Sequence, residues 1–147
     1  MILSSSLEDY LEAIYDIEIT GHEVRITDIG TKLGVEKSSV NYAVNKLCNL
    51  KLVLHEPYTD IKLTSAGRKT AKLIKNRHDI IKKFLKNVLL LSEEISDNDA
   101  CRMEHILSPE TFENLSKFVD FYENLKSINN KDIDQLFRET IVNGQKN

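Results

Sequence analysis

The sequence predicts a mainly α-helical protein, with an N-terminal winged helix-turn-helix followed by an all-helical C-terminal part. Apolar residues recur at helical spacing through most of the 147 residues. Two short β-like segments also flank a proline-containing turn, as expected of a hairpin. We place the domain boundary at residue 72, which divides the chain into 1–72 and 73–147. A chain of this length accommodates one compact domain or two small ones.

Three helices are predicted before the β-like segments. The first begins near Ser5 or Ser6, where an acidic residue three positions later completes a capping box, and it ends at Gly21. Thr27 is expected to cap the second helix, which Gly34 closes in the C′ position. The third helix begins three residues later. A helix, a tight glycine-containing turn and a second helix have the spacing of a helix-turn-helix.

Segments 52–55 and 61–63 predict the hairpin called a wing, closed by the turn Pro57-Tyr58-Thr59-Asp60. The stretch Leu63-Thr64-Ser65-Ala66-Gly67 is expected to cap a long helix that reaches about Val88.

Three further helices are predicted toward the C-terminus. Ser92 or Ser96 opens the first, which we expect to end near Leu107. Ser108-Pro109-Glu110 begins the second, since serine suits the N-cap and proline the first helical position. A weaker third helix is predicted from Lys131 to Val142.

The composition is typical of a globular protein and excludes several classes. Hydrophobic residues make up 41% and charged residues 29% of the chain. No apolar stretch approaches the roughly 20 residues that a membrane span needs, and no signal-peptide pattern opens the chain. Two cysteines cannot build a disulfide framework. We therefore expect a cytoplasmic protein without a membrane partner.

Charge is segregated along the chain although the formal net charge is only -3. The segment 62–86 is strongly basic, whereas the segments before residue 23 and across 93–123 are mostly acidic. This pattern predicts an anionic partner for the middle of the chain.

The third predicted helix, about 37–50, has one polar face. Hydroxyl and amide groups near the start of such a helix suit base edges and phosphate oxygens, and nearby lysines suit the DNA backbone. The candidate DNA-contacting residues are Lys37, Ser38, Ser39, Asn41, Tyr42, Asn45 and Lys62. The alternative interpretation is a solvated helix face in a winged helix that binds another protein.

Cys101, Glu104 and His105 stand at i, i+3 and i+4, which places three ligand-type side chains on one arc of a helix. Thiolate, carboxylate and imidazole together suit a transition ion such as Fe²⁺, Zn²⁺, Co²⁺ or Ni²⁺. The alternative is a small buried cysteine beside a surface Glu-His pair. The acidic face of the first helix and His78 likewise have ordinary explanations, in solvation and packing.

Several stretches, taken together, point to one family. They are Ser6-Leu7-Glu8-Asp9-Tyr10-Leu11-Glu12-Ala13-Ile14-Tyr15, Val35-x-x-Ser38-Ser39-Val40, Leu63-Thr64-x-x-Gly67, Arg77-His78 and Ala100-Cys101-Arg102-x-Glu104-His105-x-Leu107-Ser108. The chain resembles, over about residues 5–124, the iron- and manganese-dependent repressors of the DtxR/MntR family. The resemblance implies a winged-helix domain and a helical domain that dimerises and completes a metal site. It implies the short form, without the third, SH3-like domain of longer members.

The resemblance also implies a set of metal ligands, with mixed features of the two types of member. The implied ligands are Asp9, Glu12, His78, Cys101, Glu104 and His105. Asp9 matches the manganese type, whereas Cys101 matches the iron type. Lys82 and Asp97 stand where iron-type members carry a Glu and a His at an ancillary site, so we expect His78 to join the main cluster. The implied cofactor is Fe²⁺ or Mn²⁺, and Co²⁺, Ni²⁺ or Zn²⁺ should substitute in vitro.

The function implied is that of a metal-dependent transcriptional repressor of metal-uptake genes. It would bind double-stranded operator DNA as a homodimer when metal-loaded, and it would have no small-molecule substrate. The main alternative is a metal-independent winged-helix regulator. An enzyme such as a metal hydrolase is disfavoured, because no separate acid, base or nucleophile accompanies the ligand-type residues.

Overall fold

A computed structural model describes residues 3–56, 59–128 and 133–144 of the chain. The chain divides into two compact units, 1–76 and 77–147. The predicted fold class is confirmed, because the N-terminal unit carries a helix-turn-helix with a two-stranded wing and the rest is helical. Pro57 and Tyr58 of the predicted wing turn, and the predicted helix start at Lys131, lie outside the described residues.

The N-terminal unit is built from three helices, a hairpin and the start of a fourth helix. These elements are α1 (Ser5–Ile19), α2 (Ile26–Leu33), α3 (Lys37–Asn49), β1 (Val53–Leu54), β2 (Lys62–Leu63) and α4 (Ser65–Lys83). The unit boundary falls within α4.

The N-caps of two helices differ from prediction, by one residue in α1 and by two residues in α2. Ser4, rather than Ser5 or Ser6, caps α1, and its Oγ accepts a hydrogen bond from the Leu7 N–H at 3.4 Å. The predicted Thr27 cap of α2 is wrong, because the extended Arg25 is the N-cap. The Arg25 carbonyl accepts bonds from two N–H groups of the first helical turn, at 3.0 and 3.2 Å. Gly34 does close α2, with a left-handed φ of 66°.

The core of the N-terminal unit joins α1, α2 and α3. Leu11 and Ile14 of α1 are fully buried with Ile29 of α2 and with Val44 and Leu47 of α3. Each such side chain stabilises the fold by about 1.5–3 kcal/mol. This packing determines the position of α3, whose opposite face is exposed.

The wing is joined to the helices through its buried positions. Val53 pairs with Leu63 in the antiparallel hairpin, and both are buried. The Ile61 N–H also donates to the Val24 carbonyl at 2.9 Å, in an isolated bridge just before α2. These bonds connect the wing directly to the segment between α1 and α2.

The junction between the wing and α4 is unusually tight at Gly67. The Thr64 N–H donates to the Leu52 carbonyl at 3.0 Å, and the Thr64 Oγ1 accepts from the Gly67 N–H at 2.9 Å. A Cβ placed on Gly67 would lie 1.9 Å from the Leu52 oxygen. Only glycine therefore allows α4 to pass this close to the strand.

The C-terminal unit contains the end of α4, a π-helical turn (Phe84–Val88), α5 (Glu93–Met103), α6 (Pro109–Ile128) and α7 (Ile133–Gly144). The predicted long helix to Val88 thus loses α-helical geometry after Lys83. The buried core of the C-terminal unit contains Ile81, Leu85 and Ala100. Phe84, Met103 and Phe112 are among the side chains that pack against it.

Helix α7 is attached to α6 through Asp134. The Tyr122 hydroxyl donates to one Asp134 oxygen at 2.8 Å, and the Lys126 ammonium donates to the other at 2.7 Å. The Lys126 ammonium lowers the pKa of Asp134 below its ordinary value, so that the carboxylate stays charged.

Within the described part of the chain, no helix combines the length and hydropathy that crossing a membrane requires.

Candidate metal centre and DNA-binding face

The centre of the C-terminal unit's ligand cluster is the carboxylate of Glu104, at the end of α5. This side chain is only 2% exposed. Its Oε2 lies 3.3 Å from Nδ1 of His78, and its Oε1 lies 3.4 Å from Nε2 of His105. Within the described residues, neither carboxylate oxygen accepts a hydrogen bond. The structure thus brings together three of the predicted ligands.

A buried carboxylate in this condition requires a positive partner. Transfer of an ion from water costs several kcal/mol unless charge pairing and hydrogen bonds compensate. Here two imidazole nitrogens approach its oxygens without the alignment of hydrogen bonds. Imidazole nitrogens and carboxylate oxygens, here with one imidazole at each oxygen of Glu104, are ligand types of transition ions such as Fe²⁺, Mn²⁺ and Zn²⁺. The donor chemistry therefore fits the metal that the sequence implies.

His78 has a second partner on its other ring nitrogen. Its Nε2 lies 3.3 Å from Oδ1 of Asp97, and the same oxygen accepts a bond of 2.6 Å from the Lys82 ammonium. The Lys82 ammonium, and to a smaller degree His78, lower the pKa of Asp97. Bonds to Asp97 and Glu93 in turn raise the pKa of Lys82. A charged carboxylate is thus held against a histidine that also faces Glu104.

Arg77 fixes the turn that follows the ligand pair. Its guanidinium donates to the Leu107 carbonyl at 3.0 Å and lies 5.5 Å from the centroid of the Phe112 ring. This holds the end of the turn, two residues after His105, against α4. From the sequence, Arg77 was noted only beside His78, and Asp97 only as a departure from the iron-type ancillary site.

Cys101 is placed differently from the other predicted ligands of this unit. It is exposed on α5, and among the described residues it does not form with Glu104 and His105 a group whose ligand atoms all lie within 4.8 Å. The helix ends at Met103. Of the three side chains expected to converge, Glu104 and His105 therefore meet, whereas Cys101 does not join them.

Asp9 and Glu12 lie in the N-terminal unit, on one face of α1, and both are partly buried. The Lys75 ammonium of α4 donates to Glu12 at 3.2 Å and lies 3.6 Å from Asp16, which also pairs with Lys32 at 3.0 Å. Lysines of the same unit thus neutralise part of this acidic face, which is more than a solvated surface.

The predicted DNA-contacting residues of α3 are all exposed. They are Lys37, Ser38, Ser39, Asn41, Tyr42 and Asn45. The Asn41 amide donates back to the Lys37 carbonyl at 2.9 Å, and the ammonium of Lys46 lies 4.5 Å from the Tyr42 ring centroid. Lys46 was not among the predicted DNA-contacting residues. Its position four residues after Tyr42 already indicated that the two side chains are neighbours on the helix.

A groove of about 560 Å³ lies beside this face, between the start of α1 and α3. Its lining includes Ser6 and Tyr10 of α1 and Ser39, Tyr42 and Lys46 of α3. Hydroxyl groups and an ammonium therefore line a concave surface next to the predicted recognition helix.

Lys62 of the wing is exposed and lies 3.5 Å from an Asp60 oxygen. Most of the cations in the basic segment after it form ion pairs with acidic residues of the same unit. Acidic partners lie within 3.2 Å of Arg68, Lys75, Lys82, Lys83 and Lys86. The basic segment therefore serves intramolecular pairing, which net charge along the sequence did not reveal.

Comparisons with known proteins agree with this architecture. Residues 2–61 match the family described as the iron dependent repressor, N-terminal DNA binding domain. Residues 64–129 match the iron dependent repressor, metal binding and dimerisation domain.

Two relatives are similar over most of their length. An uncharacterised HTH-type transcriptional regulator of Methanocaldococcus jannaschii is 38% identical over 82% of this chain and 98% of its own. The HTH-type transcriptional regulator MntR of Bacillus subtilis is 36% identical over 86% of this chain and 93% of its own.

Solved structures show the same fold. The manganese regulator SloR aligns with 82% of this chain at a TM-score of 0.70 and 29% identity. A manganese-dependent transcriptional repressor in complex with manganese aligns with 78% at a TM-score of 0.72 and 25% identity. The chain spans about half the length of these two solved chains, 55% and 53%.

The resemblance inferred from the sequence is thus confirmed by both domain matches and by the identity to MntR. The relatives are transcriptional regulators, which agrees with the expectation that the chain is not an enzyme. The chain belongs to the DtxR/MntR family of iron- and manganese-dependent transcriptional repressors.

Proposed function

We propose that this protein is a repressor of metal-uptake genes that binds operator DNA as a homodimer when loaded with Fe²⁺ or Mn²⁺. The observation that carries the proposal is the buried Glu104 carboxylate, which two imidazoles approach at 3.3 and 3.4 Å. A cation at this carboxylate satisfies charge that the described side chains leave without hydrogen bonds. A protein acting on operator DNA works in the cytoplasm.

The proposed ligands are the six that the family resemblance implies. They are Asp9, Glu12, His78, Cys101, Glu104 and His105. Carboxylate and imidazole donors accept either metal, whereas a thiolate favours Fe²⁺ over Mn²⁺. Since Cys101 is exposed, its side chain would have to turn toward the cluster when metal binds.

Coupling between metal and DNA follows from the position of α1. Asp9 and Glu12 lie on this helix, whose opposite face packs against α3 through a shared core. A metal that holds the acidic face of α1 therefore acts on the helix that supports the recognition helix. Such coupling requires the metal to bind the DNA-competent arrangement more tightly, and it is typically worth about 5- to 150-fold in affinity.

The test is operator binding by the purified protein across a series of divalent metals. We expect tight, sequence-specific binding with Fe²⁺ or Mn²⁺ and loss of about 5- to 150-fold in affinity with a chelator. Affinity for the operator is measured by fluorescence anisotropy at one fixed ionic strength, because salt alone changes DNA affinity. Undiminished binding in the chelator would favour the metal-independent regulator instead.

The choice of metal is tested by Cys101→Glu. Replacing the thiolate with a carboxylate should shift the response from Fe²⁺ toward Mn²⁺, because hard oxygen donors suit Mn²⁺ better. The measurement is the concentration of each metal that gives half-maximal operator binding. Cys48→Ala is the matched control, since burial raises the pKa of that thiol. An unchanged metal preference in Cys101→Glu would remove Cys101 from the ligand set.

The proposed DNA contacts are Lys37, Ser38, Ser39, Asn41, Tyr42 and Asn45 of α3 and Lys62 of the wing. Lys62→Ala should weaken binding to all sequences alike and reduce the salt slope of log affinity by about one, as expected of a phosphate contact. Lys117→Ala, an exposed lysine on α6, is the control. A salt slope equal to that of the wild type would exclude a Lys62–phosphate contact.

A further inference from the structure

We propose that Asp97 is a positioning residue that fixes the imidazole of His78, so that Nδ1 is the nitrogen offered to a metal. This inference rests on the proposed function, because it assigns His78 to a metal centre. It goes beyond that function by naming a residue outside the ligand set. The juxtaposition that carries it is a histidine held between two carboxylates, with Asp97 at Nε2 and Glu104 at Nδ1, each at 3.3 Å.

The first step concerns which ring nitrogen carries the hydrogen. A charged carboxylate accepts hydrogen bonds and donates none, so Asp97 requires an N–H on Nε2 of His78. In the neutral ring this leaves a lone pair on Nδ1. Nδ1 lies 3.3 Å from Oε2 of the buried Glu104, an oxygen that accepts no hydrogen bond from the described residues. In this tautomer, Nδ1 of His78 and Oε2 of Glu104 can both donate an electron pair to a cation that binds them.

The second step concerns what keeps Asp97 in place and charged. Its Oδ1 accepts from the Lys82 ammonium at 2.6 Å, and Lys82 also pairs with Glu93 at 2.8 Å. Glu93 is held in turn by Lys86 at 2.6 Å. This network connects α4 and its π-helical turn with the first two turns of α5. The Lys82 ammonium thus supplies a permanent positive charge beside Asp97.

The third step is the consequence for the metal. A carboxylate that accepts the second N–H of a ligating histidine orients the ring and raises its basicity, and its loss typically costs about 10- to 100-fold in metal affinity. Asp97 is half exposed, with 54% of its side chain accessible, so its replacement should leave the core intact.

The experiment compares Asp97→Ala and Asp97→Asn with the wild-type full-length chain. Glu94→Gln is the matched control, because it removes one negative charge from an exposed position in the first turn of the same helix. The first readout is the tautomer of His78 in the metal-free protein, from long-range ¹H–¹⁵N spectra. The His78 signals are identified by their loss in His78→Gln. The second readout is the Mn²⁺ and Co²⁺ affinity, measured by calorimetry.

We expect the wild type and Glu94→Gln to show the Nε2–H form. Asp97→Ala should lose that form and bind both metals about 10- to 100-fold more weakly. Asp97→Asn retains an acceptor oxygen and should restore the tautomer and part of the affinity. An unchanged tautomer in Asp97→Ala, or a metal affinity equal to that of the wild type, would overturn the proposal. If the wild type bound no metal, the proposed function would fail, whereas the tautomer comparison would still decide the role of Asp97.

Discussion

Glu104→Gln is expected to abolish metal-dependent operator binding while leaving the helical content unchanged. The substitution keeps the size of the side chain and removes the charge on which the cation site depends. Glu104 is 2% exposed and lies between two imidazoles, so the substitution leaves these imidazoles without their buried carboxylate. The metal-dependent gain in operator affinity, typically about 5- to 150-fold, should disappear.

The measurement is operator affinity with and without Mn²⁺, together with circular dichroism of the metal-free variant. We also expect the metal-free variant to unfold at the same or a higher urea concentration, because an uncompensated buried charge has been removed. Glu113→Gln on α6 serves as control, since that carboxylate is exposed and pairs with Lys117 at 2.7 Å. Metal dependence retained in Glu104→Gln would refute the proposed centre.

Gly67→Ala is expected to destabilise the N-terminal unit by about 3 kcal/mol, the upper range for overpacking. An alanine at an ordinary helical position would stabilise by about 0.5–1 kcal/mol relative to glycine. Here the added Cβ would lie 1.9 Å from the backbone oxygen of Leu52, which is not a flexible side-chain end. Helix α4 must then move away from the strand, which breaks the bonds of Thr64 to Leu52.

Urea denaturation of the metal-free protein measures this effect. Ser65→Ala is the control in the same helical turn, because Ser65 is exposed and surface changes are usually within about 0.5 kcal/mol. Gly67→Ala should also weaken operator binding at every metal concentration, whereas Glu104→Gln removes only the metal-dependent part. A free energy of unfolding equal to that of the wild type would show that the junction relaxes without cost.

Local features of the structure were predictable from the sequence, because they depend on a few neighbouring residues. The helix-turn-helix follows from apolar spacing and from Gly34, whose φ of 66° ends α2. Ser92, one of the two predicted caps, does cap α5, with its Oγ accepting from the Ile95 N–H at 3.3 Å. The errors at the two caps, one residue at Ser4 and two at Arg25, arose where several polar residues competed for the same cap. The motif around Gly67 was recognised, but its reason lies in Leu52, fifteen positions earlier.

The sequence by itself determined the fold class, the family and the identity of the candidate ligands, since backbone preferences and motif spacing are encoded locally. Only the tertiary structure decided which charges meet. His78 and Asp97 are 19 positions apart and Arg68 and Glu18 are 50 apart, so packing alone sets their contact. Packing likewise buried Glu104 and left Cys101 exposed one turn earlier. The interaction of two charges depends on the distance between them in space. The number of residues that separates them along the chain does not give this distance.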